Sequence, residues 1–154
     1  MKKLMVEIGL KFLVRGLIAA AKVEPAIQKE LGHYADGFLF ELTVLNTSTK
    51  VFFEKRNDGF NYLGKHVDAP ADLSIIFKSY RTAQMLILGQ IGLHQGYAQH
   101  RFIVKGDFLK AMPLVRILYY VEAYLFPNYI SKNILKEQPV LSASKGKAYF
   151  HLVF

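Results

Sequence analysis

No cysteine occurs in the 154 residues, so disulfides and thiolate metal sites are excluded. The five histidines, His33, His66, His94, His100 and His151, form no His-Glu-x-x-His and no tight pair four apart. No serine sits in Gly-x-Ser-x-Gly, so the nucleophile turn of the hydrolases is missing. The glycine-rich stretch at Gly89, Gly92 and Gly96 has neither P-loop nor dinucleotide-binding spacing, and it closes an apolar run instead of opening one. It reads as a helix end and loop. No run of lysine and arginine is long enough for a nucleic-acid arm, and there is no internal repeat or low-complexity tract. These absences give the expectation of a protein that is not an enzyme, with no metal and no cofactor. The lack of cysteine is compatible with a reducing, cytoplasmic setting.

What is present in excess is apolar. Hydrophobic residues make up 52% of the chain and aromatics 14%, with twelve Phe and nine Tyr. That exceeds the usual share for a soluble domain, so either the core is large or apolar surface meets a ligand, a partner or a membrane. The length fits one domain. The net charge of +8 suits an anionic lipid surface or nucleic acid, or simply solvates a hydrophobic protein.

The most informative stretch is 71–112. Leu73, Ile75 and Phe77 alternate with Ser74, Ile76 and Lys78, the period of a half-buried strand. From Arg81 to Ile91 the apolar density of Ala83, Met85, Leu86, Ile87, Leu88 and Ile91 predicts a helix of about three turns. Alternation then returns, with Phe102 and Val104 on one face and Arg101 and Lys105 on the other, up to Gly106. Asp107 is placed to cap a further helix through Phe108, Leu109 and Met112. The order is strand, helix, strand, helix.

Ala71-Asp72-Leu73, the run from Met85 to Leu88, and Lys105-Gly106-Asp107 resemble the motifs of the sterol carrier protein 2 family of lipid-binding domains. The resemblance covers roughly residues 36–120. Where family members usually carry a Gly ahead of the strand that ends in Lys-Gly-Asp, this chain has Gln99-His100-Arg101-Phe102. The resemblance implies an α+β fold in which helices cover one face of a sheet, and enclosure of a lipid.

Taken in order, residues 2–22 place Lys3, Glu7, Lys11 and Arg15 four apart, one narrow polar stripe on an apolar helix. Charges inside the run argue against a spanning helix, since each costs roughly 3 kcal/mol at the bilayer centre, and they break any signal-peptide core. Two placements fit: in the plane of a membrane interface, or packed on the domain or a second subunit. Pro25 and Gly32 bracket a short helix. Three strands follow: one bearing Phe38, Phe40, Leu42 and Val44; one over 50–56; and one bearing Phe60 and Tyr62. Asn46-Thr47-Ser48-Thr49 and Asn57-Asp58-Gly59 are the turns between them, so an antiparallel meander is expected. Asn46-Thr47-Ser48 also matches a glycosylation sequon, but without secretion it is only a turn. Pro113 is expected to end or kink its helix. The apolar run continues to Phe126, a more polar helix is expected over 128–137, and 148–154 reads as a last strand or docking tail. The implied divisions are a helical segment at 1–35, a lipid-binding domain at 36–137, and a linker and tail at 138–154.

Other candidates have plainer alternatives. His94 and His100 flank the loop before the last core strand, where a histidine is usually solvated. Asp72 and Asp107 would need to converge to act as acid and base, and capping explains Asp107. Arg116 and Glu122 either touch a ligand headgroup or form a water-facing stripe. Tyr119 and Tyr120 beside Arg116 could stack bases, but at helical spacing core packing explains them. The expected fold is α+β, a five-stranded, mainly antiparallel sheet with helices over one face and an extra N-terminal amphipathic helix. The expected lipid cavity lies where Phe40, Leu42, Ile75, Phe77, Phe102 and Val104 of the sheet meet Met85, Met112, Leu118 and Tyr119 of the helices. Methionine and glycine at such a seam favour an adaptable gap. The alternative is a filled core. The expected partners are a hydrophobic lipid (sterol, fatty acyl or polyprenyl), an anionic membrane surface, and a second copy of the chain. Nucleic acid ranks below these. An accessory role in a lipid or quinone pathway is the alternative function.

Overall fold

The alternating segments become strands, and each turn sequence does what its chemistry dictates. The computed structural model describes residues 2–87 and 98–125. Strands β1 (Leu39–Val44), β2 (Lys50–Arg56) and β3 (Gly59–Gly64) form the meander. Asn46 and Asn57 take positive φ of 58° and 52° in its two turns, the conformation that asparagine tolerates best after glycine. In the first turn Thr47 also donates to the Val44 carbonyl at 2.8 Å. Strands β4 (Leu73–Phe77) and β5 (Phe102–Gly106) complete one sheet in the order β3-β2-β1-β4-β5.

Three of the four pairings are antiparallel, and β1 with β4 is parallel, so the sheet is mixed. The reversal follows from the connection after β3, which carries the chain from the sheet edge back to β1. Asp72 anchors this junction. Its Oδ2 accepts from the Leu39 N–H at 2.8 Å, and its own N–H donates to the Leu39 carbonyl at 2.8 Å. At the far end of β5, Gly106 has φ of 132°, and a Cβ there would stand 2.7 Å from the Asp72 carbonyl oxygen. Only glycine fits that approach.

Helix α1 (Lys2–Val23) leads into α2 (Pro25–Leu31), with Glu24 as the N-cap between them. Helix α3 (Tyr80–Ile87) follows β4, and α4 (Phe108–Leu125) follows β5. Asp107 caps α4 as its position predicts: its Oδ1 accepts from the Leu109 N–H at 2.9 Å. The helix runs through Pro113, so of the two outcomes expected there, an end or a kink, the end does not occur. The missing N–H removes one bond to the Leu109 carbonyl, near the start of the helix, where Leu109 is 76% exposed and water is at hand. The end of the predicted helix beyond Ile87, including Gly89, Gly92 and Gly96, lies outside the described residues. So do the predicted helix at 128–137, the linker and the tail.

The helices lie on the face that carries Phe40, Leu42 and Val44. Alternation along β2 and β4 adds Val51 and Phe53, and Leu73, Ile75 and Phe77, to the same face. Against it α1 buries Val6, Leu10, Val14 and Leu17 completely, and α4 adds Leu114, Ile117 and Val121. The N-terminal helix packs on the domain through this face, one of the placements open to it. Residues of α1, α2, the sheet and α4 share one core. Two polar contacts fix the helices further. The buried Tyr124 hydroxyl donates to Glu24 Oε2 at 2.6 Å. Tyr34 donates to the Lys110 carbonyl, and its burial raises the phenol above its ordinary range.

Candidate functional site

Helices α1, α3 and α4 meet over the middle of the sheet without filling the space beneath them. The floor is Leu42 of β1 with Ile75 and Phe77 of β4. Leu42 and Ile75 are register partners in the parallel pair. Gly9, Phe12 and Leu13 of α1, Leu86 and Ile87 of α3, and Leu118 of α4 form the apolar walls. Glu122, one turn beyond Leu118 on the same helix face, completes the lining. The hollow they surround has a volume of about 60 Å³.

Gly9 sets how closely α1 and α3 approach. A Cβ on it would stand 2.6 Å from Ile87 Cγ2 and 2.7 Å from Cδ1. Beside this seam a polar cluster ties α1 to the β1–β2 turn. The Thr49 hydroxyl donates to Glu7 Oε1 at 3.3 Å and shares a 2.8 Å hydrogen bond with the Tyr80 hydroxyl. Lys65 Nζ donates to Glu7 Oε2 at 3.2 Å and, as the largest influence, holds that carboxyl below its usual range. Hydrogen bonds with Thr47 and Thr49 lower the Tyr80 phenol.

Of the residues expected to line a cavity, the structure brings Leu42, Ile75, Phe77 and Leu118 to the hollow. Phe40 is buried against Phe53, the rings stacked with centroids 4.9 Å apart. Phe102 is buried behind Phe77, edge to face at 6.2 Å. Val104 is half-buried opposite Ile75 on β5. Met85 is half-buried, and its sulfur accepts from Arg101 Nη1 at 3.7 Å. Tyr119 is half-buried. Met112 is 37% exposed, because its position on α4 is about a third of a turn round from Leu118 and shares its side with exposed Leu109.

The titratable candidates also have places. Arg116 does not reach the hollow: its Nη2 lies 2.9 Å from Glu30 Oε2, joining α4 to α2, and that contact raises the guanidinium further. Glu122 is buried at 6% exposure, not part of a water-facing stripe. Asp72 and Asp107 each serve a backbone N–H, of Leu39 and Leu109. His100 is exposed with a φ of 55°, while His94 and His151 lie outside the described residues. Among the described residues no three His, Asp or Glu side chains come together as a metal site, and no helix is long and apolar enough to cross a membrane.

Gly9, Phe12 and Leu13 were not expected at the hollow, because α1 read as a separate segment. A glycine inside an otherwise apolar helix was the available signal, since such a residue commonly marks a close approach. Leu86 and Ile87 were missed for Met85 through helix phase alone.

A five-stranded mixed sheet with this order, and helices enclosing a hollow on one face, can be compared with solved structures. A ubiquinone synthesis protein, UbiJ-SCP2, superposes with a TM-score of 0.53 at 16% identity, over 77% of this chain and 97% of its own. The chain has the sterol carrier protein 2 fold. The resemblance carried by Ala71-Asp72-Leu73 and Lys105-Gly106-Asp107 is thus borne out in three dimensions, and those residues are the β1–β4 anchor and the α4 cap. Sterol carrier protein 2 from Yarrowia lipolytica, in its apo form, superposes with a TM-score of 0.45 at 17% identity, over 72% of this chain and 87% of its own. No protein-family model matches the sequence, and no curated protein matches it. The hollow lies between sheet and helices, and apart from Glu122 its lining residues are apolar.

Proposed function

We propose that the protein is a non-catalytic carrier that holds one lipid chain in the hollow beneath α1, α3 and α4. The observation that carries this reading is an unfilled, apolar-walled space inside a sterol-carrier fold. Burying a 16-carbon chain offers about 12 kcal/mol gross at ~0.8 kcal/mol per methylene. Association costs reduce that to ordinary micromolar to nanomolar binding. At about 60 Å³ the hollow is smaller than a cavity of roughly 150 Å³ that accepts benzene. Loading therefore requires the space to widen, and the α1–α3 seam, where Ile87 packs against Gly9, borders that space.

Native mass spectrometry of protein purified without detergent, followed by lipid extraction, tests this. The expected result is a co-purifying hydrophobic molecule in defined ratio. A clean apo mass, with no uptake from lipid mixtures, overturns it.

The carrier is proposed to load at an anionic membrane. Leu4, Ile8 and Phe12 form an exposed apolar row on α1, at 63%, 61% and 48% exposure, and Phe12 also borders the hollow. Exposed Lys3, Lys11 and Arg15 flank the row. Apolar groups beside basic ones suit an interface with acidic headgroups. The double variant Leu4→Glu/Ile8→Glu is expected to reduce flotation with phosphatidylserine-containing vesicles by about tenfold or more. Unchanged flotation rejects docking through this row. A second reading, presentation of a hydrophobic intermediate to biosynthetic enzymes, is supported by the ubiquinone synthesis protein of like fold. It predicts a stable complex with an enzyme partner.

A further inference from the structure

Resting on the carrier function proposed above, we propose that Glu122 is the specificity-determining residue of the hollow and selects a lipid whose neutral head bears an O–H or N–H donor. Among the described residues lining the space, Glu122 is the one with a polar side chain. It is 6% exposed, on a helix face whose preceding turn presents Leu118 to the same space. A lipid held against Leu42, Ile75 and Phe77 can bury its chain anywhere along apolar wall, but its polar head must meet a partner or remain in water. Within this lining Glu122 is the side chain that offers one.

The chemistry of that partner fixes the class of head. An ionised carboxylate accepts hydrogen bonds and repels an anionic group, while a protonated one both donates and accepts. The ionised form accepts from an alcohol, a phenol or an amine and has nothing to offer an ether oxygen. A carboxylate has about four lone-pair sites, so accepting from a lipid head is compatible with the contacts it makes inside the chain. An ether head cannot donate to it. A hydrogen bond to a charged group in a water-poor site corresponds to about ten- to a hundredfold in affinity.

Three probes on one chain length separate these effects: hexadecan-1-ol, its methyl ether, and hexadecanoate, each titrated at neutral pH into the full-length protein. The alcohol is expected to bind about tenfold or more tightly than the ether. Glu122→Leu is expected to bring alcohol and ether within about twofold while leaving the ether's own affinity in place. Glu122→Gln, whose amide N–H donates to an ether oxygen while its carbonyl accepts from an alcohol, is expected to narrow the alcohol-to-ether ratio and, by removing the carboxylate charge, to improve hexadecanoate relative to wild type. Equal affinity of alcohol and ether in the wild type overturns the proposal, as does a preference that persists in a folded Glu122→Leu protein. If Glu122→Leu does not fold, the alcohol-to-ether ratio of wild type and Glu122→Gln decides. Failure of all three probes to bind wild type instead overturns the carrier function itself.

Discussion

Replacing Gly9 with leucine is expected to reduce uptake of hexadecan-1-ol by about tenfold or more while the protein stays folded. The new side chain has two ways to go. Its Cβ meets Ile87 at 2.6 Å, so Ile87 must shift, and the remaining carbons have the adjacent hollow to enter. Both outcomes remove space that a guest would occupy. Overpacking of this kind typically costs about 1–3 kcal/mol, against a total stability of roughly 5–15 kcal/mol. A glycine leaving a helix interior returns about 1 kcal/mol of helix propensity. The check is a titration of the probe alongside a urea melt. Undiminished uptake by a folded Gly9→Leu protein would mean that lipid does not enter between α1 and α3.

The largest effect on stability is expected at Phe40, where truncation to alanine should destabilise the fold by about 3–5 kcal/mol. Its ring is 1% exposed, stacks on Phe53, and meets Tyr34 and Phe60 edge to face at 5.0 and 5.8 Å. With a urea m-value of about 2 kcal/mol/M, the midpoint should fall by about 2 M. Met112→Ala, at a side chain that is 37% exposed, should move the midpoint little by comparison. Both residues carry the same expectation from sequence, as lining of one cavity, yet their positions assign Phe40 to the packed core and Met112 to the surface. A Phe40→Ala midpoint within 0.5 M of wild type, a shift of roughly 1 kcal/mol, would contradict the aromatic cluster.

How much of this was legible beforehand depends on the range of the interaction that decides it. The strands and their turns were readable because alternation and positive-φ asparagines are local. The Asp107 cap was readable because the bond runs to a backbone group two residues away. Side-chain alternation also named Leu42, Ile75 and Phe77 as sharing a face, which is why they do meet. The continuation through Pro113 was not readable, since a proline near an exposed helix start loses a bond that water replaces. The burial of Glu122 was not readable either, because a lone acid in an apolar run looks the same whether it faces solvent or core.

Periodicity in the chain by itself determined five strands, the faces they bury, the helical character of 2–22 and an apolar inventory in excess. Those properties arise from neighbours along the chain and from the two-residue and 3.6-residue repeats of the backbone. Tertiary structure alone decided that β1 and β4 run parallel, that α1 belongs to the same core as the sheet, and that Gly9, Ile87 and Glu122 surround one hollow. Those are contacts between segments distant in sequence, and their geometry exists only once the helices are seated on the sheet.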